Sequence, residues 1–155
     1  MKIVKYLFIF LFLFGCGYSP IYQTDDEKNI QLDVINIKGD KKISQMIIRN
    51  ISRFKKNNST NIFDANLDIS KSEIVSTKDK RGNASSYKLL IEIDLVLNKK
   101  DDNKSFSKKF SKVSKYNSMD NKFELNQYKN NLEKIMISQI LQDINLFFEI
   151  IVNDI

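Results

Sequence analysis

The order of hydrophobic periodicities along this 155-residue chain predicts an α+β fold. It is a four-stranded, largely antiparallel sheet with two helices packed on one face, in the order β-α-β-β-β-α. Three observations predict it. Residues 87–98 ("YKLLIEIDLVLN") alternate apolar and polar side chains along their whole length. A lysine-rich partner stretch returns after the polar turn "KKDDN". Two further segments, one after residue 40 and one after residue 120, switch to the three-and-four spacing of an amphipathic helix.

Residues 30–37 ("IQLDVINI") alternate at Ile30, Leu32 and Val34. The phase then slips, so that Ile35 and Ile37 are apolar, which predicts a strand with a bulge. Residues 38–42 ("KGDKK") read as a turn whose Asp40 caps a helix running to about residue 56. Ile43, Met46, Ile47, Ile51 and Phe54 form its apolar stripe; Lys42, Arg49, Arg53 and Lys56 lie largely off it. Residues 56–61 are polar without periodicity, a loop. Ala65, Leu67 and Ile69 alternate with Asn66, Asp68 and Ser70, a strand expected to continue through Ile74 and Val75. Residues 76–86 ("STKDKRGNASS") read as a charged turn. In the next strand Tyr87, Leu89, Ile91, Ile93, Leu95 and Leu97 share one face. Lys88, Glu92, Asp94 and Asn98 share the other with Leu90 and Val96. That pattern suits an antiparallel strand with one face on a core and one mostly wet. In residues 105–116, Phe106, Phe110 and Tyr116 keep one register and Val113 the other. A helix over about residues 120–152 closes the chain, with Ser118 or Asp120 as its cap. Its stripe is Leu125, Tyr128, Leu132, Ile135, Met136, Ile140, Ile144, Phe147, Phe148 and Ile151. Such a helix spans about 45 Å, more than a four-stranded sheet is wide, so one end is expected to project.

Composition narrows the chemistry. The chain has no histidine and one cysteine, Cys16. Neither a His/Cys zinc site nor a Ser-His-Asp or Cys-His arrangement can be assembled from it. With four glycines it has no Gly-rich phosphate loop. A Ser-Lys dyad or a carboxylate pair remains formally open, but serines and lysines are too abundant for neighbours to mean much. The expectation is a protein that is not an enzyme and carries no metal or cofactor. Lys plus Arg number 25 against 19 acidic residues, and two of those cations, Lys2 and Lys5, fall at the extreme N-terminus. This mild, dispersed positive charge fits acidic lipid or glycolipid headgroups better than nucleic acid.

The N-terminus supplies the compartment. After Lys2 and Lys5 comes the unbroken apolar run "YLFIFLFLF", residues 6–14, then Gly15 and Cys16. A charged start and a short apolar core describe a secretory leader, too short for the roughly 20 residues of a membrane span. "LFGC" resembles the bacterial lipobox, although Phe14 is bulkier than is usual at its position. The organisation expected is a signal peptide over 1–15, a lipidated tether over 16–29 and a single α+β domain over 30–155. Lipidation at Cys16 would tether the mature chain to a membrane facing the periplasm, since acyl chains add about 0.8 kcal/mol per buried CH2.

Three stretches carry a family resemblance: "GCGYSPIY" at the mature start, "KRGNASSYKLLIEIDLVL" over 80–97, and the lysine-rich strand followed by a long amphipathic helix. Together they resemble the LPS-assembly lipoprotein LptE family of Gram-negative outer membranes. The resemblance implies a lipoprotein on the periplasmic side of the outer membrane, seated in an LptD-type β-barrel as plug and partner. It implies a role in placing lipopolysaccharide in the outer leaflet without covalent chemistry. Lys80 and Arg81 occupy the place of the family's LPS-contacting basic turn. Lys108, Lys109 and Lys112 are expected in support, within a region that also holds Lys99, Lys100, Lys104 and Lys115. Such lysines also fit an edge strand guarded against aggregation. A periplasmic auxiliary of an ABC lipid transporter is the alternative reading.

Overall fold

The computed structural model describes residues 30–56, 59, 61–102 and 104–154. The expected leader, Cys16 and the tether lie outside the described residues. The elements are β1 (Gln31–Gly39), α1 (Lys41–Ile51) continued by a 3-10 segment (Ser52–Lys56), β2 (Ile62–Lys78), β3 (Ala84–Lys99), β4 (Ser105–Asn117) and α2 (Lys122–Asp154). The sheet order is β1-β2-β3-β4. β2, β3 and β4 are joined by hairpins and run antiparallel, whereas β1 and β2, joined through α1, are parallel. Both helices pack on one face, as the periodicities predict.

The slip in β1 is a bulge. Leu32 pairs with Phe63 and Ile35 with Ala65, so two residues of β1 oppose one of β2. The extra residue restores the phase and turns Ile35 and Ile37 toward the core. Gly39 then takes φ 107°, and Asp40 caps α1, its Oδ1 accepting from the Ile43 N–H at 3.0 Å. Ile43, Ile47 and Ile51 are buried, as is Phe54 on the 3-10 turn.

The β2–β3 turn is shorter than the expected 76–86. Both strands extend into that stretch, leaving only residues 79–83 as the turn. The Thr77 hydroxyl bonds those of Ser85 and Ser86 at 2.7 and 2.6 Å. This end of the sheet is exposed on both faces of β2, so no hydrophobic alternation marks it.

The cap of α2 also differs from expectation. Asn121 Oδ1 accepts from the N–H groups of Phe123 (3.0 Å) and Glu124 (3.3 Å). The N–H of Ser118 instead bonds the Ser85 carbonyl at 2.9 Å, prolonging the sheet. Along α2, Met136, Ile140, Ile144, Phe148 and Ile151 are buried as expected. Ile137 is buried too, whereas Ile135 is 56% exposed and Tyr128 also faces out. Ile135 precedes Ile144 by about two and a half turns, which puts the two on opposite sides of a straight helix. The N-terminal three turns are exposed apart from Leu125, Lys129 and Leu132. Leu125 and Leu132 pack on the core and Lys129 reaches Glu73 of β2, so this end lies along the long strands and does not project as expected. Helix-to-helix contact includes Phe54 edge-on to Phe148 at 5.0 Å, and helix-to-sheet contact Phe110 against Phe147 at 5.9 Å. One continuous core fills the space between the helices and the sheet.

Candidate functional site

The β2–β3 turn is organised by one carboxylate. Asp79 Oδ1 accepts from the backbone N–H groups of Arg81 (2.8 Å) and Asn83 (2.9 Å). The Asp79 N–H donates to the Asn83 carbonyl at 2.8 Å, and Gly82, at φ 84°, donates to the Asp79 carbonyl at 3.0 Å. This is the local side-chain-to-backbone bonding that aspartate offers a turn. The Asn83 N–H, followed by that of Arg81, outweighs desolvation and holds the Asp79 carboxyl below its usual range. The anion is thus directed at backbone. Lys80 and Arg81 are left exposed, and neither makes an ion pair among the described residues.

The β4 lysines do not join them. Lys112 pairs across the sheet with Ile91 and Lys108 with Leu95. At about 3.3 Å per residue, they sit roughly 23 and 36 Å along β3 from its start beside the turn. They also divide between the two faces. Lys108 and Lys112 lie on the helix side. The Lys112 Nζ meets Asp143 Oδ2 of α2 at 2.8 Å, and the Lys108 Nζ stands 5.5 Å from the Phe110 ring centroid and 5.1 Å from that of Phe147. Lys109 lies on the open face, 3.4 Å from Asp94 and 3.7 Å from Glu92. Strand alternation dictates this division, because residues one apart point to opposite faces. β4 is an edge strand, and these lysines line it.

A charged cluster unmarked in the sequence reading joins α1, β2 and α2. Glu133 is only 7% exposed, yet its Oε1 lies 3.0 Å from Lys42 Nζ and its Oε2 3.2 Å from Lys71 Nζ. Lys71 also reaches Asp40 Oδ2 at 3.3 Å. One step along β2, Glu73 Oε2 meets Lys129 Nζ at 2.6 Å, beside Tyr116. A sequence signal for Glu133 existed: it stands four residues before Ile137, in phase with Ile140 and Ile144. Each of these charges is paired with a group on another element, so the cluster ties α1, β2 and α2 together, although only Glu133 is buried and the Lys42 side chain is 48% exposed. No group of His, Cys, Asp and Glu able to hold a metal ion occurs among the described residues. One described helix, α2, is long and apolar enough to cross a membrane; its buried residues face the sheet.

No family model matches the sequence, and no curated protein does. Solved structures do resemble it. Rare lipoprotein B from Shewanella oneidensis superposes with a TM-score of 0.60 at 11% identity, over 79% of this chain and 97% of that one. An uncharacterized lipoprotein B from Nitrosomonas europaea gives 0.52 at 15% identity, over 75% and 79%. At such identities the likeness is one of fold: this sheet, with its two helices on one side, is shared with lipoproteins of the B type.

Proposed function

We propose that this protein is a lipid-anchored partner of an LptD-type outer-membrane β-barrel, and that it helps pass lipopolysaccharide to the outer leaflet. The observation that carries this reading is the β2–β3 turn. Its one aspartate is committed to backbone and its two cations face solvent, which suits the phosphates of an acidic glycolipid. The fold shared with lipoproteins of the B type and the lipobox-like "LFGC" that ends in Cys16 support it. The role is one of binding and placement, without covalent chemistry.

Replacing both Lys80 and Arg81 with Asp is expected to weaken lipopolysaccharide binding and to leave both the melting temperature and barrel co-purification intact. Retention of parental binding would remove the turn from the site. In detergent-solubilised membranes the parent is expected to pull down a large β-barrel, and mass spectrometry to find the leader gone with acyl mass on Cys16. An inner-membrane ABC transporter in the pull-down would favour the auxiliary role instead.

A further inference from the structure

On the sheet face turned away from the helices, two neighbouring rungs stand out near the β2–β3 turn. One holds Ile74, Lys88 and Lys115; the next holds Ser72, Leu90 and Val113. Tyr87 and Tyr116, adjacent in sequence to the two lysines, stack on the helix side with centroids 5.3 Å apart. Lys88 and Lys115 therefore project from the opposite face. They sit directly across from each other in an antiparallel pair, where like charges repel.

Neither lysine has a carboxylate partner among the described residues. Cations toward the other end of the sheet are paired: Lys109 with Glu92 and Asp94, Lys100 with Asp33 and Asp64. In that rung and the next, two apolar side chains are exposed. Ile74 is 57% exposed, Val113 50%, and Leu90 is half-buried between them. A cation pair without a counter-ion thus adjoins an uncovered apolar cluster.

We propose that this patch seats an acylated, phosphorylated amphiphile, with a phosphate between Lys88 and Lys115 and an acyl chain along Ile74, Leu90 and Val113. Charge complementarity selects this occupant. One phosphate between two facing ammonium groups relieves their repulsion and accepts charge-assisted bonds from both. An acyl chain then takes the neighbouring apolar side chains out of water, which a soluble anion cannot do. The inference rests on the glycolipid reading above. It adds a second contact at the same end of the sheet, since Lys88 lies about 13 Å along β3 from the strand's start next to the turn that holds Lys80 and Arg81. A headgroup with two phosphates can engage the turn and the rung together.

The test is binding of purified lipopolysaccharide, and of its de-acylated form, to the full mature chain and its variants. Replacing Lys88 and Lys115 together with Gln is expected to weaken binding of lipopolysaccharide about tenfold or more while not lowering the melting temperature. Replacing Leu90 and Val113 with Asn is expected to weaken binding of the acylated form and leave the de-acylated form unchanged. If the Lys88→Gln/Lys115→Gln protein binds like the parent while the Lys80→Asp/Arg81→Asp protein does not, the patch is excluded and the glycolipid reading stands. Equal losses for both forms in the Leu90→Asn/Val113→Asn protein would overturn the acyl contact. A parent that binds neither form would overturn both this inference and the glycolipid reading.

Discussion

Gly39 shows how one residue constrains the whole first crossover. Its φ of 107° belongs to the region that L side chains rarely adopt. A Cβ there would also lie 1.9 Å from the Ile69 carbonyl oxygen of β2. Backbone cannot move aside without breaking the β1–β2 ladder, because Gly39 and Ile69 are paired in register. Gly82 has a similar φ of 84°, but nothing lies within 4 Å of its would-be Cβ. The two positions separate strain from collision. Gly82→Ala is expected to cost about 1–2 kcal/mol from backbone strain alone. Gly39→Ala is expected to cost about 3 kcal/mol or more, since steric overlap adds to the strain. Equal midpoint shifts for the two variants in urea melts would show that the close approach of β1 to β2 does not matter.

At the scale of elements, β3 is paired along its length with both β2 and β4. It is the strand most legible in the sequence. It is flanked on both sides, so one face is buried from Leu89 to Leu97 and the alternation stays clean. Ile93→Ala is therefore expected to cost about 2–5 kcal/mol. Glu92, on the open face and 3.7 Å from Lys109, should cost under about 1 kcal/mol when replaced by Ala. Comparable effects at the two positions in denaturant melts would mean that β3 does not bury the face assigned to it. The last part of β2 was not legible for the converse reason. Beyond Ile69 it is exposed, so polar residues such as Thr77 and Lys78 read as a turn although they are paired with β3. The bulge in β1 and the Asp40 cap were legible because each leaves a local mark, a phase slip and an N-cap residue before an apolar stripe. The fate of the β4 lysines was not. Their pairing with Asp143, Glu92 and Asp94 depends on tertiary neighbours that no local pattern encodes. Lys80 and Arg81, by contrast, lie where the basic turn was expected, exposed between two long strands.

For the molecule as a whole, α1, β2 and α2 are joined by one charged cluster, and its titration contributes to the pH dependence of stability. The Ile43 N–H, aided by Lys71, holds the Asp40 carboxyl below its usual range. Burial alone would raise Glu73, but hydrogen bonds from Lys129 and Tyr116 outweigh it and lower the carboxyl. A carboxyl lowered in the folded state contributes stability above its unfolded pKa and loses it as pH falls through the folded one. The lysines run the other way. Burial would lower Lys71, but Glu133 and Asp40 outweigh it, and the hydrogen bond to Glu73 raises Lys129. Their contributions are complete below the unfolded lysine value and are lost as pH rises through the raised one. Stability should therefore hold a plateau between the carboxylate and lysine ranges, and fall on the acid side below about pH 4. The Glu73 and Lys129 side chains are each about a third exposed, so solvent screening limits their pair to about 0.5–1 kcal/mol. Glu73→Gln removes the titrating group while keeping its shape. The variant is expected to be less stable than the parent at pH 7 and to lose less between pH 7 and pH 3 in urea melts. Parallel losses in the two proteins would mean that Glu73 does not contribute to the acid limb, and that the bond between β2 and α2 is too weak to couple them.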